Sequence, residues 1–312
     1  MHKEKNFVSA VVYINNDRNR VLSFLDMLAE VFKNNFENSE IIFVNDCSTD
    51  KSVELIREKA KKITNMTVSI VNLSYFHGLE SAMCAGNSLS IGDFIFEFDS
   101  VNVDYDPATI MAVYKKALEG NDIVNAVPNR RQKLSSKLFY AAMNLFSDQT
   151  KLMQTERFRI LSRRVFNRID DMNKTVPYRK FLYNNAGLRA TSLMYETVKT
   201  NTATVTTKRE RKYRRKLAVD SLVLFTDVGY HFSVIMTLVM MLIAFLMAIY
   251  SIAVYLNATP VAGWTTTVLF LSVAFFGVFG VMAVMMKYLQ LIMTTIFRRK
   301  QYTFESIEKL TK

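Results

Sequence analysis

Apolar residues in the first 130 positions alternate between short unbroken runs and helical spacing. The runs are rich in β-branched or aromatic residues and predict strands at residues 7–14, 40–44, 67–73, 93–98 and 122–127. Between them, apolar positions recur with the period of a helix at residues 20–32, 51–63, 78–88 and 107–119. Strands that alternate with helices indicate an α/β fold with a mainly parallel sheet and helices on both faces.

Polar side chains gather where these predicted strands end. Asn15 follows the first strand, residues 45–50 follow the second, and residues 99–106 follow the fourth. In open α/β sheets, ligands bind outside the carboxyl ends of the strands. The sequence therefore predicts a binding site at this edge.

Two long apolar stretches near the end of the chain differ from everything before them. Residues 232–256 and 265–286 contain no charged residue, and about 20 apolar residues are enough for a helix to cross a bilayer. Lys and Arg cluster before the first stretch and after the second, while the short connection has neither. Because positive residues stay on the cytoplasmic side, we expect two transmembrane helices with both termini in the cytoplasm.

The net charge of +12 is unevenly distributed. Residues 1–130 carry −5, residues 131–230 carry +13, and residues 231–312 carry +4. A basic cluster beside a membrane span attracts anionic lipids, and the sequence shows no nucleic-acid-binding motif beside it. The charge therefore indicates contact with a membrane surface, and no nucleic-acid partner is expected.

The glycines and cysteines exclude several common kinds of site. The nine glycines form neither G-x-G-x-x-G nor a P-loop. Two cysteines, Cys47 and Cys84, are too few for a disulfide framework or a four-cysteine zinc site.

Several ordered segments resemble family 2 glycosyltransferases. They are EIIFVNDCSTDKS, LSYFHGLESAMCAG and GDFIFEFDSVNVDYDP. Residues 135–146, 158–165 and 212–217, with the two apolar stretches, narrow the resemblance to bacterial polyprenyl-phosphate glycosyltransferases of the dolichol-phosphate mannose synthase type. The resemblance implies a GT-A fold and inverting transfer of a sugar to a polyprenyl phosphate. The expected donor is a nucleotide-sugar, most simply a UDP-sugar, and the expected place is the cytoplasmic leaflet of a bacterial inner membrane.

The resemblance also implies a division of the chain. Residues 1–130 correspond to the nucleotide-sugar-binding core and residues 131–230 to a basic interface and acceptor region, in which residues 135–146 resemble an interfacial amphipathic helix. Residues 231–297 correspond to the membrane hairpin and residues 298–312 to a cytoplasmic tail. The hairpin is also the expected contact with a second copy of the chain.

Site residues are carried over from the family position by position. Nucleotide binding is expected of Asn15, Asn45, Asp46, Ser48, Asp50, Gly78 and Glu80. Catalytic roles are expected of Asp99, Asp104 and Arg159, and contact with the acceptor phosphate of Arg157, Arg159, Arg163 and Lys212.

The metal site of the family is altered here. The resemblance implies Mg²⁺ or Mn²⁺ with Asp99 as a ligand, yet Val101 stands at the second aspartate of D-x-D and Val103 at a following glutamine. Valine offers no oxygen to a hard cation. Two explanations stay open: Arg157 or Arg159 meets the leaving-group charge instead of a metal, or the chain has lost turnover and acts as a membrane scaffold or regulatory partner.

Overall fold

The computed structural model describes residues 3–129, 141, 155–171, 178–198, 208–225 and 304–309, with scattered positions between 235 and 292. The chain forms two compact units. The first comprises Met1–Asn144, Asp148–Ala218 and Arg299–Lys312, and the second comprises Leu145–Ser147 and Val219–Arg298.

Strands and helices alternate through the first 130 residues, as the apolar pattern predicts. The strands are β1 (Val8–Ile14), β2 (Ser39–Asn45), β3 (Thr67–Leu73), β4 (Phe94–Phe98), β5 (Ile123–Pro128), β6 (Phe158–Ser162), β7 (Ala190–Tyr195) and β8 (Phe304–Lys309). The helices are α1 (Val21–Asn35), α2 (Ser52–Ala60), α3 (Leu79–Leu89), α4 (Ala108–Leu118), α5 (Arg163–Asp171), α6 (Arg179–Asn185) and α7 (Lys208–Phe225).

One eight-stranded sheet has the order β7-β5-β6-β4-β1-β2-β3-β8. Strands β4, β1, β2 and β3 run parallel, and β5 is parallel to β7. Strand β6 is antiparallel to β4 and β5, and β8 is antiparallel to β3. The α/β class is confirmed, and the five strands and four helices predicted from the first 130 residues are all present.

The core lies on both faces of the parallel strands, because β1 and β2 are buried along their whole length. On one face, Phe24, Phe32 and Phe98 belong to a large apolar cluster, while Val11 and Met83 belong to a smaller cluster on the other. Helices on both faces explain why these strands are continuous apolar runs. The carboxyl ends of the parallel strands are left at one edge of the sheet.

Strands β6, β7 and β8 were not expected from the sequence. Strand β6 comes from the basic region and inserts between β4 and β5. Strand β8 comes from the segment expected to be a tail, and its residues pair with β3 from Ser69↔Lys309 to Leu73↔Phe304. Six residues carry too short a pattern to reveal a strand whose partner lies more than 200 residues away.

The two predicted transmembrane stretches lie mostly outside the described residues, as does the predicted amphipathic helix at 135–146. None of the helices among the described residues has the length and apolar character needed to cross a membrane. The positions described within the two stretches are helical. A Cβ atom added at Gly277 would lie 2.5 Å from the Met240 Cε atom, so helical positions of the two stretches pack against each other.

Candidate functional site

Asp46 joins three strand ends at the carboxyl edge of the sheet. It follows β2, is fully buried, and accepts backbone N–H groups from His77 (2.7 Å) and Gly78 (2.8 Å). The Tyr13 hydroxyl donates to the same carboxylate at 3.0 Å. Burial raises the pKa of Asp46, and the backbone hydrogen bonds oppose that rise. Asp46 therefore holds the segment that leads into α3 against β1 and β2.

The loops that follow β1 and β2 are bound to each other by the predicted polar residues. The Asn15 side-chain amide donates to the Asp46 carbonyl at 2.6 Å, and the Asn16 N–H donates to the Ser48 Oγ atom at 3.1 Å. Asp50 accepts a backbone N–H from the first loop at 3.0 Å. Asn45 donates its amide to the Asn72 side chain on β3 at 2.9 Å. These side chains shape one polar wall at the edge of the sheet.

Gly78 occupies a position that no other residue fits. Its φ is +85°, which favours glycine, and a Cβ atom there would lie 2.2 Å from the Tyr213 ring on α7. The Glu80 N–H donates to the Tyr213 hydroxyl at 3.3 Å. Lys212, next to Tyr213, is exposed. The basic helix α7 therefore adjoins the start of α3, and the expected site residues Gly78, Glu80 and Lys212 lie on neighbouring segments.

Two buried arginines, Arg159 and Arg179, form the centre of an ion network. The Arg159 guanidinium pairs with Glu97 (Nη1–Oε2, 2.9 Å), Asp99 (Nη2–Oδ2, 2.8 Å) and Glu156 (Nη2–Oε1, 2.8 Å). These contacts connect β6 with the end of β4.

Arg179, on α6, completes the network from the other side. Its guanidinium pairs with Glu80 (Nε–Oε2, 3.0 Å), Glu97 (Nη1–Oε2, 2.8 Å) and Asp99 (Nη2–Oδ1, 2.9 Å). Both oxygens of the Asp99 carboxylate are therefore ion-paired, one with each arginine.

The network sets the ionisation of its carboxylates in opposite directions. Burial alone would raise the pKa of Asp99, but Arg159 and Arg179 hold it below the usual value. Burial raises the pKa of Glu80, and the charge of Asp99 adds to the rise against the opposing effect of Arg179. Asp99 is the more exposed of the two, with 26% of its side chain accessible. It therefore presents an ionised carboxylate at the site.

Asp104 and Arg157 pair with each other in a second arrangement. The Arg157 Nε atom donates to the Asp104 Oδ1 atom at 2.9 Å and its Nη2 atom to Oδ2. The Tyr195 hydroxyl also donates to Oδ1, at 3.0 Å. Arg157 stands where the family usually has an acid, and it is bound to Asp104, which lies in the segment after β4.

Val101 and Val103 face the apolar core. Val101 is 2% exposed within the large cluster, and Val103 packs against that cluster. Among the residues that the structure describes, no three His, Cys, Asp or Glu side chains form a group that could hold a metal ion. A divalent cation needs several oxygen ligands at once, so the described residues do not fit the implied metal.

Arg163 is separated from the other expected site residues. Its guanidinium donates to the carbonyl oxygens of Ser90 (2.8 Å) and Gly92 (2.7 Å), which precede β4. The amino ends of the parallel strands lie at the opposite edge from Asp99. Arg163 therefore connects the start of α5 to the segment before β4, at the edge of the sheet away from the candidate site.

Sequence reasoning missed Arg179, Glu97, Glu156 and Tyr183. Glu97 is the one acid in the apolar run FIFEF, and a charge at such a position needs a partner. Its carboxylate accepts the Tyr183 hydroxyl at 2.6 Å. The sequence therefore indicated that Glu97 needs a partner, but it did not show which residues would provide one.

Comparisons with known proteins indicate the family of the chain. The sequence model described as glycosyl transferase family 2 matches residues 9–173. The chain is 27% identical over 224 residues to the uncharacterized glycosyltransferase YkcC of Bacillus subtilis, covering 70% of this chain and 68% of that protein. It is 30% identical over 139 residues to an undecaprenyl-phosphate 4-deoxy-4-formamido-L-arabinose transferase of Photorhabdus laumondii, covering 43% of this chain and 42% of the relative.

Solved structures are more distant. The S. aureus TarS fragment 1–349 in complex with UDP-GlcNAc is 15% identical, with a TM-score of 0.45, and the match covers 71% of this chain and 67% of that one.

Proposed function

The chain belongs to glycosyl transferase family 2 and is a glycosyltransferase, and we propose that it moves a sugar from a UDP-sugar to a polyprenyl phosphate. The observation that carries the proposal is the position of Asp99. This ionised, partly exposed carboxylate ends a parallel strand and shares Arg179 with Glu80 at the start of α3. Ligands of α/β sheets bind at this edge.

The proposed acceptor suits a site without a strong base. A phosphate monoester has a second pKa near 6, so a polyprenyl phosphate is already a nucleophile at neutral pH. A general base is needed mainly where a proton has to be removed from the attacking group. Asp99, whose pKa is lowered by two arginines, is suited to accept hydrogen bonds from the donor sugar and to orient it.

The acceptor class is supported by relatives and by the basic helix. The Photorhabdus laumondii relative is named as an undecaprenyl-phosphate transferase. Lys212 is exposed beside the Tyr213 ring that covers Gly78, and Arg215 and Lys216 are exposed on the same helix. We assign Lys212 to the reaction centre, where the acceptor phosphate meets the donor diphosphate, and the other two to anionic lipid head groups.

Membrane attachment is part of the same proposal. The described helical positions between 235 and 292 carry exposed large apolar side chains, among them Ile235, Val239, Leu242 and Leu246. The chain leaves the first unit at Ala218 and returns to it at Arg299. A segment that leaves and returns crosses a bilayer an even number of times, which suits two spans with both termini in the cytoplasm.

The test is sugar transfer by the purified full chain. We expect undecaprenyl phosphate and one member of a UDP-sugar panel to give a sugar-linked lipid, detected by mass spectrometry. Asp99→Asn should lower kcat by about a hundredfold or more, because it removes a charge that orients the reacting groups. Circular dichroism checks that the isosteric variant is folded.

Asp93→Asn is the matched control. Asp93 is exposed before β4, at the opposite edge, and accepts the Phe7 N–H at 2.9 Å. Its rate should stay near that of the wild type. Equal rates for the two variants would remove Asp99 from the site, and nucleotide binding without transfer from any donor would favour the scaffold alternative.

A further inference from the structure

We infer that this glycosyltransferase binds its donor diphosphate without a divalent cation, because two buried arginines occupy the carboxylate that would otherwise hold one. The inference rests on the proposed use of a nucleotide-sugar. It concerns the residues that stand at the metal positions of related enzymes, and three separate observations support it.

The first observation is that each oxygen of the Asp99 carboxylate is already ion-paired with an arginine. Its Oδ2 atom lies 2.8 Å from the Arg159 Nη2 atom, and its Oδ1 atom lies 2.9 Å from the Arg179 Nη2 atom. A cation bound to either oxygen would lie next to a guanidinium, and like charges at such a distance repel. The Asp99 carboxylate therefore already has its positive counter-charges.

The second observation is that the arginines are fixed. Their side chains are 4% and 2% exposed, and each pairs with further carboxylates of Glu97, Glu156 or Glu80. Turning either guanidinium away from Asp99 would leave buried charges without a partner, which is costly. The pairs are thus part of the folded core of the site and would not be displaced by an entering ion.

The third observation concerns the residues that follow Asp99. Val101 and Val103 belong to the apolar core, and Asp104 is bound to Arg157 and Tyr195. The segment that would supply further oxygen ligands instead packs inward or forms its own ion pair. Hard cations need several oxygens together. Val101 and Val103 have no side-chain oxygen, and both carboxylate oxygens of Asp104 are paired with Arg157.

Exposed basic side chains then offset the phosphate charges. The donor diphosphate and the acceptor phosphate meet at one reaction centre, and Lys212 is the exposed cation next to the Tyr213 ring at Gly78. Fixed cations stabilise a leaving diphosphate as a metal does. Arg159 and Arg179 act through Asp99, which they hold ionised and oriented.

The decisive measurement is UDP binding by calorimetry, with the full chain in EDTA and in excess Mn²⁺ or Mg²⁺. We expect the two dissociation constants to differ by less than about threefold, and sugar transfer to continue in EDTA. Lys212→Met should weaken UDP binding equally in both buffers. Lys61→Met, an exposed lysine just beyond α2 at the other edge, should leave it unchanged.

Each alternative outcome identifies what has failed. UDP binding that is about tenfold tighter with Mn²⁺, with the gain lost in Asp99→Asn, would show that Asp99 ligates a cation and would overturn the inference alone. Transfer abolished by EDTA and restored by Mn²⁺ would do the same. No binding of UDP or GDP in either buffer would overturn the proposed nucleotide-sugar donor, and the inference with it.

Discussion

Two residues at the carboxyl edge adopt left-handed backbone angles without being glycine. Asn16 and Cys47 both have φ of +58°. Asparagine tolerates this conformation better than most residues with a Cβ atom, and the Asn16 Oδ1 atom accepts the Thr49 N–H from the loop after β2 at 2.8 Å. Cys47 has an exposed thiol and a Cβ atom that opposes the conformation. The loop after β2 therefore holds strain at Cys47.

Replacing Cys47 with glycine should stabilise the protein. The left-handed conformation costs a residue with a Cβ atom about 1–2 kcal/mol, and glycine loses about 0.5–1 kcal/mol through its greater freedom when unfolded. We expect Cys47→Gly to raise the free energy of unfolding by about 0.5–1 kcal/mol, measured by denaturant titration with circular dichroism. Cys47→Ala keeps the Cβ atom and should give no gain, and an equal gain in both variants would show that strain is not the cause.

At the residue scale, the sequence predicted the common position of three acidic residues of the candidate site. Asp46, Glu80 and Asp99 follow strands that the apolar pattern reveals, so their common edge was predictable from parallel topology. Arg179 was not, because it lies 80 residues from Asp99 and 99 residues from Glu80 along the chain. A residue whose role is to satisfy distant charges leaves no local pattern.

At the scale of elements, the short helix α6 is joined to the sheet by the side chains of Arg179 and Tyr183. Arg179 begins α6, and its guanidinium reaches Glu97 on β4 and Glu80 on α3. Its backbone N–H also donates to Glu80, at 2.9 Å. Removing this side chain would leave three carboxylates in or near the core with fewer counter-charges.

Arg179→Met should therefore destabilise the first unit strongly. Breaking a buried ion pair from one side costs about 3–5 kcal/mol, because the remaining charge has no partner. The measurement is the free energy of unfolding, with Arg189→Met as a control at an exposed arginine that should change it by less than about 0.5 kcal/mol. Adding Glu80→Gln to Arg179→Met should recover part of the loss. If the two single variants were equally stable, the network would not hold α6 in place.

Pairing between strands was the least predictable feature at this scale. The period of the apolar residues predicts each strand but says nothing of its neighbours when these come from distant segments. Strand β6 contributes Phe158 and Ile160 to the apolar cluster, and Arg159 between them points to the ion network. The alternation of apolar and charged side chains along β6 makes sense only in the folded sheet, because one face of the strand meets the apolar cluster and the other meets the ion network.

At the scale of the whole molecule, the path of the chain links the sheet to the apolar stretches. The second unit comprises Val219–Arg298, and Arg299–Lys312 belongs again to the first unit, where β8 pairs with β3. The chain therefore leaves the first unit before the apolar stretches and rejoins its sheet after them. Composition predicted the two stretches, but the return of the chain into the sheet came from the structure.

The proposed topology can be tested with single cysteines in a chain carrying Cys47→Ser and Cys84→Ser. Ala258→Cys lies in the short connection between the two stretches, and Lys312→Cys lies beyond β8. Because Arg298, Arg299 and Lys300 favour the cytoplasmic side, a membrane-impermeant maleimide should label position 258 in intact spheroplasts. Position 312 should react only after permeabilisation, because we expect it on the same side of the membrane as the sheet. Labelling of both positions in intact spheroplasts would contradict a hairpin that crosses twice, and labelling of position 312 alone would reverse its orientation.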